Sequence, residues 1–200
     1  MRELQGQSCI GLEDIPPAKK EIACTTSFGR PITVLPELIE AVSEFAGRVG
    51  EKLRKQDGKA NQVLTFIHTS PFGRQDKQYS RSITVPLRRP TADSGAIVST
   101  AVRGLRAIFK PGFNYAKAGV MLLDLQPGSI EQAELELDDP GADRARLMSA
   151  VDSLNDRYGR STVALASAGL VRGARRFDMK RERKTPEYTT RWADMPTARA

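Results

Sequence analysis

Two short stretches of this chain group side chains suited to holding phosphate oxygens. Thr25, Thr26, Ser27 and Arg30 lie close together, as do Arg81, Ser82 and Thr84, and Lys117 stands in a third apolar-basic stretch. Hydroxyls, backbone N–H groups and cations on an extended backbone bond phosphates without reading bases. Side chains for bond-making chemistry are scarce. A lone histidine, His68, excludes a His-rich metal site and argues against a Ser-His-Asp hydrolase. Cys9 and Cys24 show no metal or redox spacing and read as reduced cytosolic thiols. Glu13-Asp14 is the close carboxylate pair near the start, and the following Pro16-Pro17 makes its linker setting a poor metal site.

The elements that must position these groups follow from periodicity. Glu21 to Phe28 reads as a strand closed by Gly29-Arg30-Pro31. Pro36 suits a first helical turn, and Leu38, Val42, Phe45, Val49 and Leu53 then form an apolar stripe along one helix. Gln62 to His68 is β-rich. Arg81 to Leu87 alternates, with Ile83, Val85 and Leu87 on one side and Ser82 and Thr84 on the other. Pro86 predicts an edge position or a bulge. Asp93 or Ser94 can cap a second helix carrying Ile97, Ala101, Leu105 and Ile108 on one face, and Tyr115 to Leu125 forms a last strand. The order is βαββαβ, an α+β chain with a ferredoxin-like split-βαβ sheet and both helices on one face. The opposite face is then left open. With Phe66 the one aromatic candidate there, base stacking of the RNA-recognition type is not expected.

Charge divides the chain more sharply than its net +7 suggests. Residues 1–126 hold 18 basic and 12 acidic groups, residues 127–143 six acids and no base, and residues 144–200 13 basic and six acidic groups. Basic bodies flanking an acidic strip point to a polyanion partner, against a merely solvated basic surface. Within the strip, Gln132-Ala-Glu-Leu-Glu-Leu137 is either a docking peptide or a solvated linker. Beyond it, Leu147, Val151 and Leu154 predict a helix ending near Tyr158-Gly159, and Thr162 to Ala168 suits a short strand. The tail interleaves Phe177, Met179, Tyr188 and Trp192 with basic residues, which fits either nucleic-acid contacts or packing on its own small helix. The expected divisions are an entry linker (1–17), a sheet domain (18–126), an acidic linker (127–143) and a small, mainly helical module (144–200). No run of about 20 apolar residues spans a membrane, and Met1 to Ile10 has no secretory pattern.

Several stretches in series carry a family resemblance. Pro17-Ala-Lys-Lys-Glu-Ile-Ala-Cys-Thr-Thr-Ser-Phe-Gly29, Thr65-Phe-Ile-His-Thr-Ser-Pro-Phe72 and Tyr115-Ala-Lys-Ala-Gly-Val-Met121 resemble the little-finger domain of UmuC-branch Y-family translesion DNA polymerases. Leu154-Asn155, Tyr158-Gly-Arg160, Met179-Lys180 and Pro186-Glu-Tyr-Thr-Thr-Arg191 resemble the small module that follows it in UmuC, MucB and RumB-like proteins. The resemblance covers nearly the whole chain in the same order.

It implies a grip on primer-template duplex through Thr25, Thr26, Ser27, Arg30, Arg81, Ser82, Thr84 and Lys117. It also implies a sliding-clamp motif of the Gln-x-x-Leu-x-Leu form at Gln132, Leu135 and Leu137. Ala133 departs from the leucine usual at its second position, so weakened affinity is expected. By the same resemblance, further partners would be a UmuD-like subunit and RecA, in the cytoplasm, within SOS DNA repair. The palm carboxylates that hold Mg2+ for phosphoryl transfer would lie N-terminal to these domains, so the chain is expected to need no cofactor and to synthesise no DNA. It reads as a truncated or split C-terminal portion. A ferredoxin-like domain binding a small metabolite is the reading from another class, since fold alone assigns no function.

Overall fold

The computed structural model describes residues 3–6, 19–73, 76–129, 144–169, 177–179 and 185–197. Four strands, β1 (Ile22–Ile32), β2 (Gly58–Thr69), β3 (Ser80–Thr91) and β4 (Tyr115–Pro127), form one antiparallel sheet in the order β1-β4-β2-β3. Helices α1 (Leu35–Arg54) and α2 (Ser94–Ile108) provide the two crossovers. Each crossover joins parallel strands with one strand inserted between them, which is the split-βαβ arrangement. The fold is α+β, as the periodicity predicts.

The expected cores of both helices are buried. Leu38, Val42, Phe45, Val49 and Leu53 of α1, and Ile97, Ala101, Leu105 and Ile108 of α2, pack against Val63, Ile67, Val120 and Leu122 of the sheet. Pro36 lies in the first turn of α1, Glu37 complements its N-terminus, and Lys52 and Arg54 its C-terminus. Asp93 is the cap of α2, accepting from the Gly95 N–H at 3.0 Å. Both features predicted by Pro86 occur: β3 is an edge strand, and its register with β2 shifts between Ala60 and Gln62, where Pro86 pairs. At one end of the core, Tyr115 is fully buried. Its hydroxyl donates to the Lys110 carbonyl at 2.8 Å and accepts from the Lys110 N–H at 3.1 Å.

Among the described C-terminal residues, α3, the Ala166–Ala168 segment and Phe177 pack on the helix side. Helix α3 (Ala145–Tyr158) is tied to α1 by Arg54, whose Nε and Nη2 donate to the Asp152 carboxylate at 2.6 and 2.7 Å. The same guanidinium reaches the Ala92 carbonyl at 2.8 Å and Ser94 Oγ at 2.9 Å, so one side chain joins α1, the approach to α2, and α3. Phe177 meets Phe45 edge to face at 6.1 Å, and the Asp178 carbonyl accepts from the Gly29 N–H on the free edge of β1. Two expectations are corrected here. Thr162 to Ala168 forms turns and a 3-10 segment at Ala166–Ala168, not a strand. On α3, Met148 is the buried side chain, whereas Leu147 and Leu154 remain 54% and 42% exposed.

Candidate nucleic-acid interface

With both helices, α3 and Phe177 behind the sheet, these elements leave the other face open. Antiparallel pairing places directly opposed residues on the same side, so register resolves this face into rows across the four strands. One row is Ser80–His68–Lys117–Ser27, the next Ser82–Phe66–Gly119–Thr25, and the third Thr84–Leu64–Met121–Ala23. None of these twelve residues is a carboxylate. The hydroxyls lie on the two edge strands, with an apolar centre between them. Three strand spacings separate these hydroxyl columns by about 14 Å.

Gly119 has a specific role in the middle row. A Cβ there would come within 2.5 Å of Phe66 Cε1 and Cζ and 2.6 Å of Thr25 Cγ2. The Phe66 ring therefore occupies the space above β4 that another side chain would fill. It runs parallel to the His68 ring, with centroids 6.0 Å apart and 10° between planes. His68 Nδ1 lies 3.0 Å from the Thr69 carbonyl, within hydrogen-bonding distance. Leu64, Phe66, Ser80, Arg81 and Ser82 line a shallow depression at the β2–β3 side.

Among the residues singled out by sequence, Thr25, Ser27, Ser82 and Thr84 are exposed on this face, and Lys117 is half-buried between Ser27 and His68. Thr26 is a correction. It pairs with fully buried Ala118 and thus turns toward the helices, because alternation forbids three successive residues on one face. Arg81 also has helix-side parity, opposite buried Ile67, but it is exposed on the edge strand and borders the depression. Arg30 is exposed within the register shift of β1, between Ser27 and Ile32. Gln132, Leu135 and Leu137 lie outside the described residues. Sequence reading missed Leu64, His68, Gly119 and Met121. Alternation between apolar and polar groups could not assign the faces of β2, because Val63, Leu64, Phe66 and Ile67 make both sides apolar.

Among the described residues, no three His, Cys, Asp or Glu side chains gather as a metal site requires, and no helix is long and apolar enough to cross a membrane.

Comparison with known proteins matches residues 19–135 to the impB/mucB/samB family C-terminal domain and residues 145–198 to a domain of unknown function (DUF4113). The chain is 42% identical over 200 residues to Protein ImpB of Salmonella typhimurium, covering 100% of this chain and 46% of that protein. It is 40% identical over 196 residues to Protein UmuC of Salmonella typhimurium (98% and 46% covered), and 38% identical over 201 residues to Protein MucB of Escherichia coli (99% and 46%). The chain thus spans about half the length of these relatives. Among solved structures, the insertion ternary complex of Dbh DNA polymerase aligns at TM-score 0.44 and 9% identity, covering 56% of this chain and 31% of that one.

Proposed function

Because the chain belongs to the impB/mucB/samB family through that C-terminal domain, we propose that it is the DNA-holding and partner-docking region of an error-prone translesion DNA polymerase. The observation that carries this reading is the open sheet face. Two hydroxyl columns about 14 Å apart suit the two backbones bordering a major groove about 12 Å wide. The apolar centre rests against sugars, Lys117 adds a cation, and none of the three rows holds a carboxylate. Binding of this kind orients a duplex without selecting its sequence. Catalysis and its Mg2+ belong to carboxylates outside this chain, which by itself extends no primer, and the setting is cytoplasmic.

Fluorescence anisotropy with a labelled primer-template, titrated across salt, tests the reading. Affinity is expected to fall steeply with salt, and Lys117→Ala to lower the log–log slope by about 0.9, one phosphate's worth. Affinity that barely changes between low and moderate salt refutes it.

A second reading concerns the linker, favoured by the spacing of Gln132, Leu135 and Leu137. These would enter an apolar cleft on the sliding clamp, while the C-terminal residues engage a UmuD-like subunit and RecA. Replacing Gln132 and Leu135 with Ala is expected to abolish co-elution with the clamp, and unchanged retention removes the docking claim.

A further inference from the structure

Phe72 is 89% exposed, although a phenyl ring ordinarily buries itself. Its exposure is built into the turn between β2 and β3. Ser70-Pro71-Phe72-Gly73 closes with the Gly73 N–H donating to the Ser70 carbonyl at 3.3 Å, and Ser, Pro and Gly occupy the positions that a type I turn favours. The Phe72 N–H donates to Ser70 Oγ. Gln78 Nε2 donates to the carbonyls of Gly73 and Asp76, Gln78 Oε1 accepts from Thr69 Oγ1, and Asn114 Nδ2 holds the Asp76 carboxylate. The turn that carries the exposed ring is thus braced from Thr69 of β2, from Gln78 ahead of β3 and from the loop before β4.

The surroundings indicate the ligand. Phe72 follows Phe66 and His68 beyond the end of β2, where the open face runs out. That end of the sheet, over residues 28–32, 69–73, 76–81 and 109–117, carries Arg30, Lys77, Arg81, Lys110 and Lys117. Within these stretches Asp76 is the one carboxylate, already bonded to Asn114, and Asp178 adjoins them through its carbonyl, which accepts from the Gly29 N–H. An exposed aromatic at a cation-bearing end of the sheet suits a nucleobase, whose π-face stacks on the ring while the cations hold the adjoining phosphates. A protein anchor of this size would more often meet an apolar surround.

We propose that Phe72 is a base-stacking subsite, which takes an unpaired nucleotide at the margin of a duplex lying on the sheet. The subsite rests on the DNA reading above and deepens it. It makes the otherwise sequence-blind platform selective for DNA with a locally unstacked base.

The test compares a fully paired duplex with the same duplex carrying one bulged thymidine, using the full chain. Phe72→Ala is expected to weaken binding of the bulged duplex roughly ten-fold or more, and of the paired duplex less than two-fold. Phe72→Trp in a Trp192→Phe background supplies a single reporter, whose emission should be quenched more by the bulged duplex. Equal effects on both duplexes, or none, overturn the subsite while leaving the platform intact. Failure of the unsubstituted chain to bind either duplex overturns the DNA reading itself, and the subsite with it.

Discussion

Arg54→Ala removes one guanidinium and with it four hydrogen bonds, two to the Asp152 carboxylate and one each to the Ala92 carbonyl and Ser94 Oγ. The Arg54 and Asp152 side chains are 15% and 20% exposed, so the pair is shielded but not sealed from water. Hydrogen bonds to charged groups contribute about 1.5–3 kcal/mol each. Breaking a buried pair by deleting one partner costs about 3–5 kcal/mol, because the other charge is stranded. Residual solvation of Asp152 moves the expectation to the low end, about 3 kcal/mol. Urea denaturation followed by circular dichroism should register this, and the melting temperature should fall by roughly 6–12 °C at about 2–4 °C per kcal/mol for a chain of this size. Arg54→Lys keeps a charge but loses the planar fork, and should lie between the two. Trypsin should cut faster at Arg144 and Arg146, beside the start of α3. DNA affinity should stay within two-fold, since Arg54 lies behind the sheet. A loss under 1 kcal/mol, or a fall in DNA affinity matching the loss of stability, refutes the assignment of Arg54 as the joint between the sheet body and α3.

Gly119→Val puts a branched side chain where the Phe66 ring lies, lifting the ring between Ser82 and Thr25. Losing two hydroxyl–phosphate bonds of about 1 kcal/mol each predicts roughly 30-fold weaker duplex binding by anisotropy, and wild-type affinity in a folded variant contradicts the proposed role of the middle row. Burial of the Tyr115 phenol raises its pKa above the ordinary 10.0, so the folded chain holds that proton more tightly than the unfolded one. The resulting stability is complete below about pH 10 and is lost as pH rises through the folded value. Tyr115→Phe should cost about 1 kcal/mol near neutrality and flatten the alkaline decline in urea midpoints; an unaltered alkaline slope rules out this linkage.

Local rules sufficed for the elements. The period of Leu38, Val42, Phe45, Val49 and Leu53 commits α1 to one buried face whatever its neighbours, and the alternation of β3 assigns Ser82 and Thr84 to solvent, because both signals live within a few adjacent residues. Pro86 likewise announces an edge strand through its missing N–H. The serial family resemblance was legible for the same reason, as runs of consecutive residues. What the chain could not declare locally depends on partners far away in sequence. Thr26 looked equivalent to Thr25 until pairing with Ala118 assigned it to the other face. The two apolar sides of β2 could be told apart only once helices covered one of them. Gly119 acquires its role from a phenyl ring 53 positions earlier, and Arg54 from a carboxylate 98 positions later. Strand order β1-β4-β2-β3 is a choice among packings of the same elements. It is decided by which arrangement buries the most apolar surface without orphaning backbone groups, and that sum is taken over the whole molecule.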